Sequence, residues 1–178
     1  VSGRNFIVAP RSWAAIEASA LEWRDAFGLK DNPRTPIMEL MEEVFDKKLG
    51  LFTLVVAERV EMGTAEGYTY PDGSCIVLRE DVYRGAWRGG RRDRFTAAHE
   101  FGHWVLHTNQ PLARAMSSEK IAAYRLSEPQ ANRFASEMLM PRRFFSSDDT
   151  EAIVMDRHEV SFHAASVRLD QLRRSGEI

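Results

Sequence analysis

At 178 residues the chain suits one compact domain with a small appendage, and its 44% hydrophobic and 28% charged residues exclude a disordered tail. A net charge of −2 gives no global electrostatic reason to bind nucleic acid or an anionic membrane. The single cysteine, Cys75, excludes an intramolecular disulfide and fits a reducing cytosol. No apolar run approaches a membrane span, and the opening Val1-Ser2-Gly3-Arg4 has no signal-peptide form and reads as a trimmed start.

Residues 12–28 read as an amphipathic helix, with Ser12 as N-cap and Gly28 as a left-handed stop. Trp13, Ile16, Ala20 and Trp23 recur at helical spacing as an inward face. A second helix begins at Thr35-Pro36, the proline at its first position, turns Ile37, Leu40, Met41 and Phe45 inward, and closes at Gly50. Residues 51–57 are rich in β-branched and aromatic residues, as a strand requires. Residues 67–70 and 74–78 flank the turn Pro71-Asp72-Gly73 and read as a hairpin. A small, mostly antiparallel sheet is therefore expected, with a face to cover the next helix and an edge that can take an extended peptide as an added strand. Residues 85–94 form a glycine-broken stretch with arginines at positions 88, 91, 92 and 94. They read as a solvated loop. A nucleic-acid contact is the competing reading, with no base-reading element beside it.

The following helix contains His99-Glu100-Phe101-Gly102-His103, an H-E-x-x-H motif. Residues four apart lie one turn apart on one helical face, so two imidazoles can reach one metal ion. Glu100 lies about 100° around the helix from His99, where it can reach an attacking water without being a ligand. Two histidine ligands and a glutamate general base are the working parts of a zinc peptidase. Zinc needs a third protein ligand. The long motif ending in a third histidine is excluded, because Leu106 and Asn109 occupy its glycine and histidine positions. His107 is separated from His99 by roughly 12 Å of helix rise, too far for both to bind one ion, and reads as a helix-end or cleft residue.

A better third ligand is Glu128, at the start of a helix that carries Pro129 in its first turn and ends at Pro141. Asn132, Ala135 and Leu139 stay within roughly 40° of Glu128. That face suits close helix packing and places Asn132 to hold a metal-binding imidazole. Glu137 falls on the opposite side with Gln130 and Arg133, a set that reads as solvent-facing. The competing reading of Glu128 is an N-terminal acid favoured by the helix dipole.

The run Arg94-Phe95-Thr96-Ala97-Ala98-His99-Glu100-Phe101-Gly102-His103, followed by Glu128-x-x-Ala131-Asn132-x-Phe134-Ala135-x-x-Met138-Leu139-Met140-Pro141, closely resembles the ImmA/IrrE family of zinc metallo-endopeptidases. With the hairpin before and the helix after, the resemblance extends over roughly residues 35–178, leaving the first 30 residues unplaced. It implies His99, His103 and Glu128 as zinc ligands and Glu100 as the catalytic residue. It further implies a cytoplasmic protease of bacterial or phage origin that cleaves helix-turn-helix repressors or antitoxin-like partners. Phe101 stands where the family often has leucine, and Gln130 where a second acid is common.

Near the end, Ser161 is a good N-cap, and Ala164, Ala165, Leu169 and Leu172 make an inward stripe. The pattern also resembles the recognition helix of a DNA-binding helix-turn-helix, with His163 and Arg168 available to a phosphate or base and residues 149–157 as a short partner helix. A docking helix is the favoured reading. The expected architecture is an α+β, zincin-like peptidase domain over residues 1–145 and a C-terminal helical segment over 146–178. An oxyanion donor is also required, and Tyr124, Arg125, His107 and His158 are the candidates. The rival function is a regulator that binds a repressor or DNA on the same frame without cutting it.

Overall fold

The computed structural model describes residues 5–114 and 121–178. A two-residue strand, β1 (Phe6–Ile7), leads into helix α1 (Trp13–Ala26). Ser12 accepts a hydrogen bond from the Ala15 amide at 3.1 Å, and Gly28 turns the chain with φ of +71°, so the helix starts and stops at its sequence signals. Ile16 and Ala20 are buried, and Trp23 packs edge-on against Phe45 and Phe101. Trp13 departs from the expected inward face. It is 38% exposed, because the first turn of α1 forms one wall of an open groove.

The next helix, α2, is α-helical over Ile37–Glu39 and widens to a π-helix over Leu40–Lys48, closing at Gly50 with φ of +59°. Leu40, Met41 and Phe45 still face the core. Strand β2 (Thr53–Ala57), the short helix α3 (Arg59–Met62) and strands β3 (Gly67–Thr69) and β4 (Cys75–Arg79) follow. The sheet order is β2-β4-β3. The hairpin is antiparallel as expected, with Gly67 opposite Leu78 and Thr69 opposite Ile76. The longer pairing, β2 with β4, is parallel, from Thr53 opposite Cys75 to Ala57 opposite Arg79. The sheet is therefore mixed, not mostly antiparallel. The α3 connection carries the chain past the place of β4 to the far edge, and the hairpin then returns in the direction of β2.

Helices α4 (Glu80–Trp87) and α5 (Arg91–His107) divide the arginine-rich stretch between them, so only residues 88–90 are a turn. Its arginines are largely committed to the fold. Arg91 pairs with Asp156 and Arg92 with Glu66, while Arg94 is buried and donates to the Thr35 carbonyl and to Glu159. Beyond α5, β5 (Ala113–Arg114) pairs antiparallel with β1, and a 3₁₀ turn at Ala123–Arg125 leads into α6 (Ser127–Leu139). Helices α7 (Glu151–His158) and α8 (Phe162–Arg174) complete the chain. Among the described residues, no helix is long and apolar enough to cross a membrane.

Helix α6 is enclosed by α5 and α1, with α8 against its C-terminal end. This corrects two expectations. Glu137 and Gln130 do not face solvent but are fully buried, and Glu137 is held by Arg133 at 2.7 Å and by Arg168. Arg168 is equally buried and donates from Nε to the Met140 carbonyl, so it is not available to a phosphate or base. Arg24 reaches the same end of α6 from α1, donating to the Met138 carbonyl at 2.7 Å and to Leu29 at 3.0 Å. A helix C-terminus leaves carbonyls without intrahelical partners, and these two guanidinium groups satisfy them.

His158 is fully buried, stacks on Phe145 and donates from Nδ1 to the Pro33 carbonyl at 2.8 Å. Burial, partly opposed by that hydrogen bond, pushes its pKa from 6.5 down to about 4. Below pH 6.5 the unfolded chain therefore takes up a proton that the folded chain refuses, and stability falls with pH until both states are protonated. In metal-free His158→Phe, the decline between pH 6.5 and 4 should be shallower by about one proton, or about 1.4 kcal/mol per pH unit. Urea midpoints across that range would read it, and an unchanged slope would contradict the burial of a neutral His158.

Candidate metal centre

Helices α5 and α6 cross at Gly102. A Cβ at that position would lie 3.1 Å from both the Ala131 carbonyl oxygen and Phe134 Cδ1, closer than ordinary contact. The absent side chain lets the backbones approach, which brings one face of α5 against the first turn of α6. His99 Nε2 lies 3.0 Å from His103 Nε2, and the Glu128 carboxylate oxygens lie 3.3 Å from His99 and 3.4 Å from His103. Neighbouring ligands of a tetrahedral zinc ion, at bond lengths of about 2.0–2.1 Å, sit roughly 3.3 Å apart. His99, His103 and Glu128 are thus spaced to share one ion.

The hydrogen bonds behind the imidazoles test that fit. Asn132 Oδ1 lies 3.0 Å from His99 Nδ1, so that nitrogen donates and Nε2 is the one turned to a metal. Gln130 donates from Nε2 to the carbonyls of Ala9 and Tyr124, which turns its Oε1 to His107 Nε2 at 3.1 Å. His107 therefore donates from Nε2 and accepts at Nδ1 from His103 Nδ1, 3.0 Å away. Burial, with His103 adding to it, pushes the His107 pKa down to about 3 and keeps it neutral. With Nδ1 of each ring turned to Asn132 or His107, the two Nε2 atoms are left facing each other, and Glu128 Oε2 is buried without a hydrogen bond. Such a set of acceptors repels itself unless a cation lies between its members. The donor set fits a divalent metal.

Glu100 is buried beside this cluster but turned towards β3. Its Oε2 and its backbone carbonyl oxygen share the Thr69 hydroxyl as donor, each at 2.9 Å. A Cβ at Gly67 would lie 2.5 Å from Glu100 Cγ, so this glycine makes room for the glutamate. The cleft in front is walled by Phe6, Tyr68, Tyr70 and Leu112. Tyr68 and Tyr70, exposed and edge to face at 5.3 Å, bring phenol groups to it. Of the expected oxyanion donors, His107 and His158 spend their ring N–H groups elsewhere, and Tyr124 and Arg125 are exposed on the turn ahead of α6, outside the cleft walls.

Several of these partners escaped the sequence reading. Gly67 was legible only as the start of a strand, although a glycine there also signals close approach by another group. The first residues, unplaced by sequence, fasten α6 at its N-terminus. Asn5 Oδ1 accepts from the Glu128 amide at 3.2 Å, and the Phe6 amide donates to Ser127 Oγ at 3.1 Å. No local motif announces contacts that span more than 120 residues.

Searches of curated proteins and of solved structures gave no match. Residues 53–170 match the family model described as Peptidase_M78, the IrrE N-terminal-like domain. The matched span is more than half of the chain, and it contains the sheet, the crossing of α5 with α6 and all four residues of the cluster and its neighbouring glutamate. On that match the chain belongs to the ImmA/IrrE family of metallopeptidases.

Proposed function

We propose that the protein is a zinc-dependent endopeptidase that cuts a peptide bond in a cytoplasmic regulatory protein, a helix-turn-helix repressor or an antitoxin-like partner. The observation that carries the reading is the convergence of His99 Nε2, His103 Nε2 and the Glu128 carboxylate within 4.8 Å of one another, with Glu100 adjacent but bonded to Thr69. His99, His103 and Glu128 would hold the ion, leaving a fourth position open. When bound, zinc supplies Lewis-acid polarisation of the scissile carbonyl and lowers the pKa of water.

The chain's own residues carry the proton. Glu100 takes it from the attacking water as general base and returns it to the leaving amine as general acid. The Thr69 hydroxyl holds one carboxylate oxygen and so fixes the direction of the other. Asn132 and His107 keep the ligand imidazoles in the tautomer that faces the ion. Tyr68 and Tyr70 on the cleft wall would supply phenol donors for the developing oxyanion. The repressor or antitoxin substrate rests on the family resemblance. Incubating the zinc-loaded protein with a repressor encoded beside it should give one defined cut. An intact repressor, with zinc bound at one per chain, would remove this substrate class.

Glu100→Gln should lower turnover by roughly 10²–10⁴-fold while zinc stays near one per chain. Loss of zinc together with activity would make Glu100 a ligand. Gly67→Ala should push Glu100 out of line and cut kcat without releasing zinc, and an unchanged kcat would remove the positioning role. Glu128→Ala should greatly weaken zinc binding. Glu137→Gln should instead lower stability, since buried Arg168 loses its carboxylate partner, while zinc stoichiometry of the folded protein is kept. Metal titration and thermal melts of the pair would separate the two roles, and equal zinc loss in both would refute the assignment.

A further inference from the structure

The faces of α5 and α6 that carry the metal cluster continue beyond it into a groove. One turn back from His99 along α5 lie Phe95 and Thr96, and one turn on from Asn132 along α6 lies Ser136, with Met140 beyond. These residues line a cavity of about 790 Å³, closed on the far side by Trp13 of α1 and Val167 of α8. Asn132 belongs to both places, since its carboxamide bonds His99 and its side chain also lines the groove. The volume lies in the range that holds a small ligand or several side chains.

The lining says what kind of occupant fits. Trp13 and Val167 are 38% and 54% exposed, so apolar surface stands open at the mouth. The arginines of the rim are already engaged, Arg92 by Glu66 at 2.6 Å and Arg133 by Glu137 at 2.7 Å. Neither is left to select a charged group. The cluster itself opens to the cleft of Phe6, Tyr68 and Tyr70, and the groove adjoins it along the helices, Thr96 lying one turn before His99 and Glu100 and Pro129 following Glu128. We infer that it binds the substrate chain itself, taking two or more bulky uncharged apolar side chains of the type Leu, Met or Phe from the segment next to the scissile bond. This inference rests on the peptidase reading and adds a substrate preference to it.

The test uses zinc-loaded Glu100→Gln and two fluorescein-labelled peptides of glycine, serine and lysine, alike except for a Leu-Phe pair replaced by Ser-Ser in the second. The Leu-Phe peptide should bind at least about tenfold tighter, as burial of two apolar side chains requires. Val167→Glu and, separately, Trp13→Ala should abolish that difference while circular dichroism and zinc content stay unchanged. Equal binding of the two peptides, or a preference that survives both changes, overturns the assignment. A dimer seen by light scattering and dissolved by Val167→Glu gives the groove to a second copy and overturns it too. Zinc-loaded protein with Glu100 intact should cut the Leu-Phe peptide within a few residues of the pair. Tight binding without any cut refutes the peptidase reading and, with it, the groove's role beside a scissile bond, whereas cutting without apolar preference refutes the groove alone.

Discussion

The close approach of α5 to α6 at Gly102 is the constraint on which the candidate metal centre depends. Two histidines one turn apart are easily supplied by a single helix, but the third ligand must come from elsewhere in space. A side chain at Gly102 would hold Ala131 and Phe134 away, and Glu128 would retreat with them. The same contact lets Asn132 reach His99 and Gln130 reach His107. Ligand spacing, tautomer control and the groove beyond are thus consequences of one interhelical distance. On the other side of α5, Phe101 and Trp104 pack with Trp23, Phe45 and Phe52 and fix its position.

A second layer of order comes from charge placed inside. Arg24, Arg94 and Arg168 are buried, yet each finds carbonyl or carboxylate partners. Removing a charge from water is costly unless its hydrogen bonds are replaced. Here the replacements are backbone carbonyls at the end of α6 and in the loop before α2, which no regular element satisfies. Arginine, with five donors in a fixed fork, suits such scattered acceptors better than lysine. Arg24 and Arg168 join α1, α6 and α8 where apolar packing alone would leave the helix end unsatisfied, and Arg94 ties α5 to Thr35 and Glu159.

Local features were legible in the sequence because local physics sets them. Ser12, Gly28, Ser161 and the Pro71-Asp72-Gly73 turn mark their elements by capping and turn chemistry. The convergence of His99, His103 and Glu128 was legible because helical angle restricts which side chains can meet. What was not legible depends on distant neighbours. Arg168 and Glu137 look like surface residues until each is seen to bury the other. The parallel pairing of β2 with β4 depends on where the intervening segment crosses. The widening of α2 into a π-helix leaves the apolar spacing of its sequence almost unaltered.

The attachment of the first residues to α6 has a consequence in time. Asn5, Phe6 and Ala9 reach Glu128, Ser127 and Gln130, partners separated from them by more than 120 positions. Contacts of such sequence separation close large loops and form late, because their entropy is lost before their energy is gained. A ribosome has made most of the chain before either half of these pairs can meet. The support around Glu128 therefore depends on the closure of a loop that spans most of the chain. The most local of motifs, two histidines one turn apart, thus leans on a contact from the far end of the described sequence.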